Sequence, residues 1–312
     1  MSLAAIVLLL IVMTVAGVAS EHTCAHDTPE LQRTIREELR RSPRLYLPRR
    51  RQMHGAQVSE SAPLRIVASF ADLTTAGRFC SAAGDVRPDF NGGTVRCAAE
   101  DVLTADKRAA LQDVILPRAI QQLASALSVD PVDAPIRVPA GSCNEFTVPS
   151  SHHDGVADAD YVLYVGAGPA AESTLAWAGA CRLDDAGRPV IGRANFNPRH
   201  LSLDGPNTAA TEEKVRTAVH ELIHALGFSE SVFHAYVDNA TVRGKPARVL
   251  RRVPSALAAA RDFLGCAALD FVELEDEGGP GSAGSHLERR VFRDELMTAA
   301  GGSALSAITL GV

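Results

Sequence analysis

The 312-residue chain has no excess of positive charge: 31 lysines and arginines stand against 37 aspartates and glutamates, a formal net charge of −6. Nucleic-acid binding draws on a basic surface that displaces counterions, so nucleic acid is excluded as a partner. Beyond residue 20 there is also no apolar run long enough to cross a bilayer. Nor is the composition biased. At 46% hydrophobic residues the chain is neither disordered nor fibrous, and it can bury one large core or two modest ones.

What is present begins with residues 1–20, MSLAAIVLLLIVMTVAGVAS, an apolar run from Leu3 to Val12 followed by the small residues Ala16, Gly17, Ala19 and Ser20. This reads as a secretory signal cleaved near Ser20, although no positive n-region precedes the run. An uncleaved anchor is the poorer reading, because Thr14 and Gly17 interrupt a run already short for a span. Secretion makes the six cysteines candidates for disulfides. Local pairing suggests Cys80 with Cys97 and Cys143 with Cys181, leaving Cys24 and Cys266 to explain. Asn239-Ala240-Thr241 is the one glycosylation sequon and hints at a surface loop.

From Glu21 to about Gln57 the composition shifts, with eight arginines against five acidic residues, Pro43, Pro48 and the run Arg49-Arg50-Arg51. The segment looks separable from the remainder of the chain, and the tribasic run is either a solvated charge cluster or a processing site. Within it Cys24 lies in HTCAHD; its thiolate could take an open zinc position in a zymogen, or the thiol could simply be unpaired. Farther on, LRIVAS (64–69), DYVLYV (160–165) and PVIGRANF (189–196) read as strands, with a turn at DDAGRP. Thr104 to about Val129 reads as a long helix that Pro117 kinks or breaks. One of the strands could take a substrate as an added strand, although an ordinary core role is the simpler reading for each.

The segment Thr211–Phe228, TEEKVRTAVHELIHALGF, carries the chemistry. Val215, Val219, Leu222, Ile223 and Leu226 recur at helical steps, Thr211 is the expected N-cap with Glu212 and Glu213 in the first turn, and Gly227 is the stop. His220 and His224, four apart, project from one face and can share a metal. Zinc accepts neutral imidazole nitrogens, and the intervening Glu221 is the candidate general base. A third ligand is required. The candidates are Glu230, His234 and His286; Glu230 stands where the shorter metzincin spacing puts a histidine. Spacing alone does not choose among them.

These residues resemble the leishmanolysin metallopeptidases, secreted or surface zinc endopeptidases of the metzincin group. HELIHALGF (220–228) is similar to the family's zinc motif, GSAGSHLERR (281–290) to its segment with a distant third histidine, and DELMT (294–298) to its Met-turn. LRIVASFADLT, CAAEDVLTADKR and LAWAGACRL are similar too, so the likeness runs over about residues 22–312. It implies an α+β metzincin-type fold, an N-terminal mixed sheet with the active-site helix plus a partial C-terminal subdomain. It implies one Zn2+ per chain on His220, His224 and His286, Glu221 as base, Met297 beneath the metal, and Cys24 as the inhibitory cysteine of a propeptide. The organisation it implies is a signal peptide (1–20), a propeptide (21–57), a catalytic subdomain (58–228) and a second subdomain (229–312). Family members continue into a cysteine-rich region and commonly a lipid anchor; here the sequence ends at Val312 with no anchor signal, so a C-terminal truncation and an unpaired Cys266 are expected. The expected activity is hydrolysis of peptide bonds in proteins and peptides, outside the cell or at its surface, with membrane association in full-length relatives. Two rivals stand beside it: a truncated, non-catalytic homologue acting in adhesion or binding, and a secreted binding domain whose motif is accidental.

Overall fold

The structure, a computed structural model, describes residues 26, 28–48, 61–233, 236–277 and 283–312. The expected signal segment, Cys24, the tribasic run, the expected boundary between propeptide and catalytic subdomain at residues 57 and 58, and His234 lie outside the described residues. Named in chain order, the principal elements are α1 (Pro29–Arg41), β1 (Ile66–Ser69), β2 (Tyr161–Gly166), β3 (Ala176–Leu183), β4 (Pro189–Phe196), α2 (Ala209–Leu226), β5 (Val237–Val242), β6 (Lys245–Leu250), α3 (Pro254–Leu264) and β7 (Val272–Glu273). The fold is α+β.

The main sheet runs β1-β2-β4-β3 and is mixed. Strands β1, β2 and β4 are parallel, with Ile66 opposite Tyr161 and Val162 opposite Ile191; β3 is antiparallel to β4, with a register shift around Arg182. Strands β2 and β4 are buried along their whole length and β3 along nearly all of it, which is how strands covered on both faces read. On one face Tyr161, Leu163, Ala178, Ala194 and Phe196 pack with Val215, Ala218, Val219 and Leu222 of α2. Each fully buried valine or leucine of that helix contributes about 1.5–3 kcal/mol of transfer free energy. Tyr161 also donates its hydroxyl to the Ala225 carbonyl at 2.9 Å. Among the described residues, this apolar cluster continues past residue 228 to Leu250, Leu287 and Met297, so both expected subdomains share it.

The other face is covered by the segment that the sequence marks as separable. Leu31, Ile35 and Leu47 join Val162, Tyr164, Trp177, Val190 and Ile191 in a second apolar cluster. Gly179 of β3 permits the close approach, because a Cβ there would lie 2.5 Å from Ile35 Cδ1. Leu45 then hydrogen-bonds along the end of β3, its amide to the Leu183 carbonyl and its carbonyl to the Asp185 amide, both at 3.0 Å. Residues 28–48 are thus part of the packed body: α1 has a stripe at Leu31 and Ile35 that its arginine-rich composition masks.

Other expectations shift by a few residues. The long helix spans 105–126, not 104–129, and Pro117 does not break it: Ala110–Ile115 form a π-helical turn, after which Pro117 enters the first turn of Leu116–Ala126. A proline lacks the N–H a regular turn needs and crowds the carbonyl four residues earlier, and the wider turn relieves both. Both expected disulfides form, Cys80–Cys97 and Cys143–Cys181, and Cys266 is free and exposed. Asn239 is exposed as expected but lies in strand β5, not in a loop. No helix of the described residues is long and apolar enough to cross a membrane.

Asp160, at the foot of β2, ties the sheet to its surroundings. Its carboxylate accepts Arg65 Nε and Nη2 at 2.9 Å, the Arg65 amide at 3.0 Å and the Val132 amide at 2.8 Å. Burial pushes the carboxyl up, but the Arg65 side chain and the two amides outweigh it and hold it below the ordinary aspartate value. A depressed folded-state pKa adds stability that is complete above the unfolded value and fades as pH falls through the folded one. Asp160→Asn should therefore cost about 2–4 kcal/mol at neutral pH. Urea midpoints at pH 7 and below about 4 check this: the gap from the parent protein should narrow in acid, and a constant gap contradicts the assignment.

Candidate metal centre

Helix α2 starts earlier than expected. Thr208, extended at φ −86° and ψ 161°, accepts the Thr211 amide and is the N-cap. Thr211 is buried in the first turn, its hydroxyl bonded to the Gly205 carbonyl. Two threonines three apart look alike in sequence; backbone conformation decides which one caps.

At the other end Gly227 stops the helix at φ 130°. The Gly227 amide reaches the His224 carbonyl and the Phe228 amide the Ile223 carbonyl, the paired bonds of a glycine-terminated helix. That reversal turns the Phe228 carbonyl back to accept His224 Nδ1 at 2.7 Å. His220 Nδ1 likewise donates to the Leu296 carbonyl at 2.8 Å. A carbonyl can only accept, so both rings carry their proton on Nδ1 and leave an Nε2 lone pair outward.

His286 arrives from a different element. It lies between Glu275, whose amide bonds to the His286 carbonyl at 2.9 Å, and Leu287, whose amide bonds to the Met297 carbonyl at 2.8 Å. The three Nε2 atoms converge: 3.1 Å for His220 and His224, 3.3 Å for His224 and His286, 3.2 Å for His286 and His220. All three side chains are buried. Three nitrogens held tetrahedrally at the usual zinc distance are about 3.3 Å apart, so the donor set fits zinc in spacing and chemistry. Burial, together with the charges of His26, His220 and His286, holds His224 well below the ordinary histidine pKa, which keeps it neutral as a ligand must be. Glu221, between the two helical histidines, is fully buried.

Of the alternatives for the third position, Glu230 turns away: its carboxylate pairs with Arg248 at 2.9 Å and Arg36 at 4.0 Å. Met297 is fully buried in the turn whose Leu296 carbonyl orients His220. Glu295 shapes that turn by accepting the Met297 amide, the Ser306 hydroxyl and the Thr309 hydroxyl. A second acidic group, Glu273, Asp276 and Glu288, flanks the segment that carries His286, where Arg243 and Arg290 pair with Glu273 and Arg290 with Glu288.

Two participants escape a reading of the sequence. Glu295 sits inside DELMT without a visible task. His26 lies two residues from Cys24, and its ring stacks on His224 with centroids 3.9 Å apart and planes within 4°. His26 Nδ1 donates to the Ala178 carbonyl of β3 at 2.7 Å and Nε2 meets Ser229 Oγ at 2.9 Å. The only local signal is its place in HTCAHD; the partners of its ring are over a hundred residues away.

Gly227 offers a test of how ligand orientation depends on the helix stop. Its Cβ site is open to ordinary contact only, 3.5 Å from Pro189 Cγ, so Gly227→Ala introduces backbone strain and not a clash. A loss of about 1–3 kcal/mol in stability and about tenfold or more in zinc affinity is expected. Chelator competition measures the second; unaltered affinity would show that the Phe228 carbonyl does not position His224.

Comparison with known proteins shows the family. The Peptidase_M8 family model, leishmanolysin, matches residues 48–312. The chain is 37% identical over 262 residues to leishmanolysin of Leishmania tropica, an overlap of 80% of this chain and 38% of that protein. It is 34% identical over 259 residues to the leishmanolysin homolog of Crithidia fasciculata, covering 79% and 38%. To the leishmanolysin-like peptidase of Drosophila melanogaster it is 26% identical over 287 residues, covering 63% and 42%. The chain thus spans about two fifths of the length of these curated relatives. With the family model covering most of its length, the chain belongs to the leishmanolysin family of metallopeptidases.

Proposed function

We propose that this chain carries the catalytic centre of a metzincin-type zinc metalloendopeptidase, secreted or held at the cell surface and made as a latent proenzyme. One observation carries the reading: three buried imidazoles, on two separate parts of the chain, bring their Nε2 atoms within 3.1–3.3 Å of one another. His220, His224 and His286 are the ligands in this reading. When bound, zinc supplies Lewis acidity, lowering the pKa of a water towards about 7 and drawing charge from the scissile carbonyl. Glu221 accepts the water's proton on its carboxylate and delivers it to the departing amine. Met297 and the Leu296 carbonyl form the floor that fixes His220. The substrates are proteins or peptides. Residues 58–228 and 229–312 are its catalytic and second subdomains, and Asn239 is its glycan site.

The latent form rests on residues 21–57 as a propeptide and on Cys24 as the thiolate that closes the site. His26 supports this reading, since it places residue 26 of the segment against His224 itself.

Zinc stoichiometry combined with a chelator-sensitive casein assay on secreted protein tests the whole proposal. Glu221→Ala should keep one zinc and lose about 10²–10⁴-fold in turnover, whereas His224→Ala should lose both. A Glu221→Ala protein that cleaves casein at the parental rate refutes the base. A zinc-loaded Cys24→Ala protein that cleaves nothing leaves the non-catalytic binding role as the answer. In the latent reading Cys24→Ala raises proteolysis. The point substitution is a cleaner test than deletion of 21–57, because α1 belongs to the packed body.

A further inference from the structure

The apolar stripe of α1 continues into a charge. Leu31 and Ile35 face the sheet, and at the next position of that stripe stands Glu38, with 3% of its side chain exposed. All its partners belong to the body of the protein. Oε2 accepts Arg193 Nη1 at 2.5 Å and Asn144 Nδ2 at 3.1 Å; Oε1 accepts the Cys143 amide at 2.7 Å and Arg182 Nη1 at 3.4 Å.

These donors are held independently of Glu38. Arg193 is on β4 and Arg182 on β3 at its register shift, both nearly free of solvent. Cys143 is bonded through its disulfide to Cys181 of β3, and the turn at Cys143 and Asn144 has left-handed backbone, φ 58° and 36°, which directs its donors inward. Two guanidinium groups therefore confront one carboxylate, and each keeps an Nε with no hydrogen-bond partner. Buried cations without an anion are costly. A cavity of about 430 Å³ adjoins the group, lined in part by Glu38, Arg182 and Asn144.

We propose that Arg193, Arg182, Asn144 and the Cys143 amide form a carboxylate-binding pocket on the sheet face opposite the metal centre, and that Glu38 seats the N-terminal segment by filling it. The ligand class is an acidic peptide side chain. Departure of the segment leaves two desolvated cations, so the seat resists release until another carboxylate or water enters. That the seat also governs latency rests on residues 21–57 being a propeptide; the pocket itself does not.

Hydrogen exchange on the full chain tests the pocket. Glu38→Gln, which keeps shape and removes charge, should speed exchange of the α1 amides by about a hundredfold. In Glu38→Ala, added acetate should restore protection at Cys143 and Asn144 and raise the melting temperature, whereas chloride at equal ionic strength should not, and the parent should not respond. Parental exchange in Glu38→Gln, or acetate acting no better than chloride, overturns the proposal. Should Glu38→Ala not fold, the double variant Glu38→Gln/Arg193→Gln decides: partial recovery of protection supports the pocket, and losses that simply add overturn it. Casein cleavage on the same Glu38→Gln sample separates the two readings, because an undocked α1 without a gain in proteolysis upholds the pocket and counts against the propeptide.

Discussion

Three imidazole nitrogens at 3.1–3.3 Å from one another, on three buried side chains, are the constraint on which the rest depends. Nitrogen lone pairs repel at that distance unless a cation lies between them, and burial removes the water that would screen them. The surrounding structure keeps them there by fixing the far side of the rings: the Phe228 carbonyl for His224 and the Leu296 carbonyl for His220. Each carbonyl is itself held, the first by a glycine reversal and the second by a turn that Glu295 closes from within. Burial pushes the Glu295 carboxyl up even against its hydrogen bonds, so that turn carries an electrostatic cost which its hydroxyl and amide donors offset.

The same logic governs the sheet. Strands β2 and β4 are buried throughout, and such strands need cover on both faces. Helix α2 supplies it on the metal side and α1 with Leu47 on the other. The N-terminal segment therefore contributes to stability and stands at the metal site at once: it reaches His224 through His26 and the far face of the sheet through Glu38. Any process that removes it must unstack the first and unpair the second. One short stretch of chain thus covers the sheet and contacts His224 at the same time.

Much of the site is legible in the sequence because its determinants are local. H-E-x-x-H at helical spacing puts two histidines on one face whatever the rest of the chain does, and Gly227 marks the stop because few other residues tolerate its backbone. Neighbouring cysteines pair as proximity suggests, and the apolar runs of β2 and β4 stand out because both faces are buried. The third ligand is different. Spacing leaves Glu230, His234 and His286 open, and only the likeness of GSAGSHLERR to a known family singles out His286.

What tertiary structure alone decides is everything that depends on partners distant in sequence. Glu38 meets Arg193 across 155 positions and His26 meets Ser229 across 203; a segment that reads as separable is pinned by a buried ion pair. The cap at Thr208 in place of Thr211 and the π turn ahead of Pro117 follow from backbone geometry that packing selects among near-equal options. The sequence by itself determined the helix, its two histidines, its glutamate and its stop, since each rests on bonds within a few residues. The structure shows His286 converging on the other two histidines and shows what covers the sheet, since those contacts exist only after the chain has lost the entropy of closing long loops.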